Sequence, residues 1–372
     1  MSSDSAPTPA AAPPRKRLLS PSTCVLIVLL LAAAGGYYLY VRAQNDPPAV
    51  DEFATLKGYF QLLGRNQTLA ADYVDANGDL IADPPADTTK FLKVTELGFS
   101  MIGTDDPDRL KVEEADWKDF MAALGKSTGL PVKYRTELNS VTAQMTALRE
   151  GTLHVTAFNT GAVTEAVNTA GFVPLFAPAD ASGDFAIRME ILVKAGSPIQ
   201  KPEELRGKTL GFVALSSNSG AKAPMFVLKE KFGMLPARDY RYKITGDHFT
   251  SLVGLAESDD YDAVCVASDL KARACAGPIK FRGGEKNLKA EQFRVIYTSD
   301  PVPPLCFGVP HNLPPALRGK IEQTFRDFRF TGSSAERYAK QGKVKFAPVN
   351  YREDWKYIRE IDAALSRFAE LP

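Results

Sequence analysis

The sequence predicts an α/β fold of mostly parallel sheets with helices on both faces. Three observations carry this. From Lys93 onward, short apolar strand-like runs alternate with segments of helical periodicity, a βαβ series. Gly129 and Gly233 stand at the ends of two helical segments, where helices commonly close. Finally, Thr209 to Leu215 reads as a buried strand, followed by Ser216-Ser-Asn-Ser219, Gly220 and a helix ending near Gly233. Pro224 fits only the first turn of that helix, because its missing N–H would have no partner there. The helix is therefore expected to begin within a residue or two of Gly220. Its first N–H groups would then face Ser216 to Ser219 with the positive end of the helix dipole behind them, which makes an anion site.

The elements follow in order. Val94 to Ile102 is strand-like; Asp116 to Ser127 is a helix carrying Trp117, Phe120, Met121 and Leu124 at helical spacing; Val132 to Thr136 is a second strand. Ser140 to Arg149 is a helix, Val155 to Asn159 a strand and Gly161 to Ala170 a helix. Glu190 to Lys194 is a strand, and a short capped helix and turn within 197–208 lead into the Thr209 strand. Phe249 to Glu257, Ser268 to Cys275, Lys320 to Phe330 and Trp355 to Phe368 read as helices, Ala263 to Ala267 and Phe293 to Thr298 as strands. Pro301-Val-Pro-Pro304 is a poor strand centre and a good crossover.

The N-terminal 92 residues differ in character. Residues 1–22 are rich in Pro, Ala and Ser, are expected to be disordered, and end in Arg15-Lys16-Arg17. Thr23 to Val41 is an uncharged apolar run of about 19 residues, enough for a transmembrane helix spanning 23–42. The basic residues before it put the N-terminus in the cytoplasm and the rest on the extracytoplasmic, periplasmic face of the membrane. Ala32-Ala33-Ala34 offers a signal-peptidase alternative, although Tyr37 to Val41 carries the apolar run beyond it and favours an uncleaved anchor. Residues 43–92 read as a stalk with a helix over Glu52 to Leu63. Asp75, Asn77, Asp79 and Asp83 have part of the spacing of a calcium loop, but its glycine is at the fourth position and no glutamate closes it; a solvated Asn-Gly turn is the competing reading.

With 372 residues, 45% hydrophobic and 24% charged, and a net charge of +1, the chain is long enough for two domains and too evenly charged for a nucleic-acid surface. Four cysteines are too few for a disulfide scaffold. Cys265 and Cys275, on neighbouring elements, are either a pair or two small buried thiols. His154 and His311 lack paired-ligand spacing, so neither zinc nor any cofactor is expected.

Four landmarks together resemble the solute-binding proteins of phosphate, phosphite and phosphonate ABC transporters. They are Gly196-Ser-Pro-Ile-Gln-Lys-Pro-Glu-Glu-Leu-Arg-Gly-Lys208 running into a strand; Ser217-Asn-Ser-Gly220; Gly246-Asp-His248 opening a helix; and Tyr261-Asp-Ala263 followed by Ser299-Asp-Pro-Val-Pro303. The likeness covers about residues 95 to 350 and implies a type II periplasmic-binding-protein fold. Its first lobe would be built from 93–186 and 298–372, and its second from 187–297. By position, Ser217, Asn218, Ser219 and His248 would hold the oxyanion, with Ser216, Asn159, Thr160 and Asp269 facing the cleft. Where aminophosphonate-binding members carry tyrosines this chain has Leu138 and Ile187, and where they carry acidic residues it has Ser268, with Asp269 beside it, and Leu305. The resemblance thus implies a small phosphorus oxyanion without an amine: phosphate, phosphite or an alkyl phosphonate. The partners implied are ABC permease subunits and the membrane, with the binding protein itself a monomer. A membrane-anchored sensor or structural module of the same fold is the rival. An enzyme built on Ser217 or Ser219, His248 and Asp269 is not expected, since no Gly-x-Ser-x-Gly elbow is present.

Overall fold

The computed structural model describes residues 52–101, 107–281 and 283–371. The N-terminal tail, the apolar run over 23–42 and the start of the expected stalk lie outside the described residues. Among the described residues no helix is long and apolar enough to cross a membrane. From Glu52 onward the chain forms one compact unit.

The first run of elements is α1 (Glu52–Arg65), β1 (Leu97–Ser100), α2 (Pro107–Asp116), α3 (Lys118–Thr128), β2 (Val132–Tyr134), α4 (Val141–Arg149), β3 (Val155–Phe158), α5 (Thr160–Ala170) and β4 (Phe172–Ala179). Next come β5 (Met189–Lys194), β6 (Thr209–Phe212), a π-helical turn at Asn218–Lys222, α6 (Ala223–Phe232), β7 (Arg241–Ile244), α7 (His248–Glu257), β8 (Ala263–Ala267), α8 (Ser268–Ala276), the hairpin β9 (Ile279–Phe281) and β10 (Gly284–Lys286), and β11 (Phe293–Thr298). The chain closes with β12 (Cys306–Pro310), α9 (Pro315–Asp327), α10 (Glu336–Ala339), β13 (Lys345–Pro348), α11 (Tyr351–Asp354) and α12 (Lys356–Ser366).

Two mixed sheets result. The first has the order β13-β4-β12-β3-β1-β2 and the second β11-β5-β8-β6-β7. In the first, β1 runs parallel to β2 and β3, while β12 is antiparallel to β3 and β4. In the second, β6 runs parallel to β7 and β8, and β5 is antiparallel to β8 and β11. The chain passes from the first sheet to the second after β4 and returns after β11. The two passing segments pair, Ile187 N–H donating to Val302 O at 2.9 Å and Val302 N–H to Ile187 O at 2.8 Å.

Several expectations need correcting. α1, expected within a stalk over 43–92, packs into the core: Leu56, Phe60 and Leu63 form a buried stripe one and two turns apart, and Phe60 meets Phe368 edge-on at 5.4 Å. The helix expected over Asp116 to Ser127 starts at Lys118, after an unexpected helix that ends at Asp116; Trp117 between them is wholly buried among Phe99, Phe120, Phe307 and Tyr338. The helix expected from Lys320 starts at Pro315. Cys265, Cys275 and Cys306 are free thiols, so the possible Cys265–Cys275 pair is not formed. The Asp75–Asp83 carboxylates accept from backbone amides of their own turn: Asp75 from Asp79 and Leu80, and Asp83 from Ala76. Among the described residues no group of three or more His, Cys, Asp or Glu side chains is placed to hold a metal ion.

His154 shows how the core treats a titratable group. It is buried beside β1, and its Nδ1 accepts from Gly98 N–H at 2.9 Å. Burial lowers its pKa to about 4, from 6.5. The unfolded chain therefore takes up this proton before the native one does, so the stabilising effect is complete above pH 6.5 and is lost as the pH falls towards 4. Its loss should amount to roughly 2–3 kcal/mol. His154→Asn keeps an acceptor but cannot titrate, so its urea midpoint should fall less between pH 7 and 4.5. Parallel acid profiles for the two proteins would refute this.

Candidate functional site

The expected ligand residues gather at the C-terminal ends of parallel strands, where ligands bind in open α/β sheets. On the second sheet, β6 and β8 are neighbours in register at Gly211 and Val264. The loop after β6 carries Ser216 to Ser219, and the residues after β8 are Ser268 and Asp269. The segment leading to His248 rests on the end of β6 through Thr245 N–H to Phe212 O at 2.8 Å and Gly246 N–H to Val213 O at 2.9 Å. On the first sheet, β3 ends in Asn159 and Thr160 at the start of α5.

The loop after β6 enters its helix differently from the expectation. α6 proper starts at Ala223 with Pro224 in its first turn, and the five residues before it wind as a π-turn. Ser217 Oγ accepts from Gly220 N–H at 3.1 Å, and Ser217 O accepts from both Ala221 and Lys222 N–H. Ser217 is thus a cap, which stabilises the helix start. π-Turns are rare and often mark functional positions. Ser217, Asn218 and Ser219 are all buried, and Asn218 is only 1% exposed. Both Nδ2 and Oδ1 of Asn218 lack a hydrogen-bond partner. A buried amide left unpaired costs about 1–3 kcal/mol, so its retention here points to a ligand.

His248 is the first residue of α7, but Asp247 caps that helix, accepting from Phe249 and Thr250 N–H at 2.8 and 2.9 Å. The His248 ring lies by the end of β8, its Nδ1 accepting from Ala267 N–H at 3.4 Å. The neighbouring Asp269 has a buried, unpartnered Oδ1, and burial raises its pKa. Ser268 Oγ accepts from Arg188 N–H at 3.1 Å, which ties this corner to the crossing segment. Asn159 Oδ1 caps α5 by accepting from Ala162 N–H at 3.1 Å, and Thr160 Oγ1 donates to Pro303 O at 2.8 Å. These two residues therefore have structural partners. Leu138 and Ile187 lie in the apolar core and Leu305 is half-buried against it.

The first-sheet and second-sheet parts touch at the anion loop. A Cβ on Gly161 would lie 2.4 Å from Ser216 O and 2.8 Å from Asn218 N, so the start of α5 packs backbone to backbone against the anion loop. Lys222, absent from the expected ligand set, is buried here in an ion pair with Asp362 at 2.7 Å. A separate cavity of about 360 Å³, lined by Asp79, Asp83, Phe176, Arg318 and Arg326, contains none of the expected ligand residues.

Two mixed sheets joined by a pair of crossing segments, with polar loops converging at their strand ends, define a two-lobe solute-binding protein. The chain belongs to the phosphonate periplasmic substrate-binding protein family of ABC transporters, whose model matches residues 99–355. This is a transport family and not one of enzymes. Among solved structures, a binding-protein component of an ABC phosphonate transporter from Pseudomonas aeruginosa is similar at 18% identity and a TM-score of 0.60, over 73% of this chain and 87% of that one. PhnD1 from Prochlorococcus marinus, in complex with methylphosphonate, is similar at 14% identity and 0.57, over 72% and 97%. A Xanthomonas citri protein bound to chloride is similar at 18% and 0.57, over 74% and 99%. At these identities the likeness is one of fold. No curated protein matches the sequence.

Proposed function

We propose that this protein captures a small phosphorus oxyanion between its two lobes and delivers it to the permease subunits of an ABC importer. The supporting observation is the Asn218 amide, buried and unpartnered in a π-turn at the end of β6. Asn218 Nδ2 and the first amides of the turn donate to the anion, with Ser216 and Ser219 hydroxyls and the His248 ring around it. The lobes are 93–186 with 298–372, and 187–297. The apolar run at 23–42 holds the protein on the extracytoplasmic face of the membrane. The cleft works with phosphate, phosphite or an alkyl phosphonate, since Leu138, Ile187 and Leu305 offer nothing to a polar substituent.

One observation favours a second reading. Asp269 carries a buried carboxyl oxygen without a partner, which a ligand ammonium would satisfy and an oxyanion would not unless the carboxyl is protonated. The two readings separate in one experiment. Thermal shifts of the purified protein are compared for phosphate, phosphite, methylphosphonate, aminoethylphosphonate and sulfate. A ligand at 100 times its dissociation constant adds about 2.7 kcal/mol. Asn218→Ala with His248→Ala should abolish the shift while leaving the Ser217 cap in place. A shift with none of the anions, or one that survives the double substitution, sinks the site; a preference for aminoethylphosphonate that Asp269→Asn removes selects the second reading.

A further inference from the structure

The elements flanking the family match converge on the anion loop. α1 precedes residue 99 and α12 follows residue 355, and the two pack together through Leu56, Phe60, Ile361 and Leu365 in one core. Each sends a polar group to the loop. Tyr59 hydroxyl donates to Leu215 O at 2.7 Å, and burial keeps that phenol protonated by pushing its pKa well up. From α12, Asp362 Oδ1 accepts from Lys222 Nζ at 2.7 Å and its Oδ2 from Thr164 Oγ1 at 2.6 Å. Lys222 Nζ also donates to Gly161 O at 2.6 Å. Trp355 Nε1 donates to Thr160 O at 3.0 Å. The pair is enclosed, with side chains 2% and 4% exposed. The polar line continues along α5 to α1: Asn66 Nδ2 donates to Glu165 Oε1 at 3.2 Å, and Asn168 Nδ2 to Asn66 O at 2.6 Å.

We infer that Lys222 is the positioning residue of the anion loop, and that α1 and α12 form a clasp holding the loop against the start of α5. Lys222 lies in the same π-turn as Asn218, so the place where its ammonium is anchored fixes where the turn's amides point. Its two acceptors belong to α12 and α5, elements on the first-lobe side. Without that anchor the turn keeps its Ser217 cap, the bond from Val213 N–H to Gly220 O at 3.0 Å and the Tyr59 bond to Leu215, none of which ties it to α5 or α12. A buried ion pair contributes little net stability compared with apolar residues of like volume, so its value here is the register it imposes.

The test uses hydrogen exchange of the full chain, without ligand, on Lys222→Met/Asp362→Leu. Removing both charges avoids a stranded buried ion, so the melting temperature should stay near that of the parent. Amides of 215–222 should nevertheless exchange at least tenfold faster, with amides of the first-sheet core unchanged. Tyr59→Phe, which removes one hydroxyl, should raise exchange of the same amides to a lesser degree and serves if the double variant does not fold. Unchanged exchange over 215–222 in a folded variant overturns the clasp. The dissociation rate of methylphosphonate, expected to rise at least tenfold, rests on the proposed ligand reading. If exchange accelerates but none of phosphate, phosphite and methylphosphonate binds to the parent, the clasp stands and the ligand reading fails.

Discussion

Lys222→Met alone should destabilise the protein by about 3–5 kcal/mol, because it strands a buried carboxylate. Asp362 would retain only the Thr164 hydroxyl, and Gly161 O would lose its 2.6 Å donor, with Thr164 Oγ1 at 3.5 Å a poor replacement. Glu165 adds to the cost. Burial is the main reason its pKa is raised, and Lys222 is the charge that opposes this rise. Removing the lysine therefore leaves two acidic groups in one enclosed region with no cation between them. Asp362→Leu alone strands the ammonium instead and should cost a similar amount. The double substitution should recover most of either loss, since the desolvation penalty disappears with the charges. Urea unfolding of the two single variants and the double variant forms the cycle that reads this coupling. If both single variants unfold within about 1 kcal/mol of the parent, the pair behaves as an exposed one and the enclosed geometry is wrong.

How far the sequence revealed this molecule depends on which residues carry the signal. β3, β6, β8 and β11 were legible because mainly apolar or β-branched runs end in polar turns. β4 was not: Pro174 and Pro178 remove two backbone donors from Phe172–Ala179, a cost normally confined to sheet edges, yet the strand lies wholly buried between β12 and β13. Tertiary packing overrode that rule, with Pro174 opposite Gly308 and a register shift beside it. α1 was found as a helix but expected in a stalk, because its apolar stripe does not say which partner will bury it. At the site, the loop after β6 and the helix start at His248 could be read from order and spacing. That Ser217 is a cap and Asn218 the open donor could not, because both types suit either role. Lys222 and Asp362 did leave a trace. A lone lysine stands among Ala221, Ala223, Pro224 and Met225, and an aspartate lies beside Ile358, Ile361 and Leu365 on the buried stripe of α12. A charge on an apolar face is rarely buried without a partner, so each residue signalled the need for the other.

Gly161→Ala should weaken anion binding at least tenfold while leaving most of the fold intact. The position does not require glycine for its conformation, since it lies inside α5. It requires glycine for space. The added methyl would meet Ser216 O at 2.4 Å and Asn218 N at 2.8 Å, well inside ordinary van der Waals contact, and both neighbours are backbone atoms that cannot swing aside. Either α5 or the loop must retreat by a sizeable fraction of an ångström. Overpacking of this kind costs about 1–3 kcal/mol. A retreat of the loop moves the Asn218 amide away from its bound position and pulls Lys222 from Gly161 O. Since anion hydrogen bonds weaken steeply with distance and angle, the loss should fall mainly on the bound state. Calorimetric titration with methylphosphonate, alongside the melt of the unliganded protein, separates the two effects. Affinity unchanged in Gly161→Ala would mean that the contact between α5 and the loop opens when the anion enters, and that the ligand lies elsewhere in the cleft.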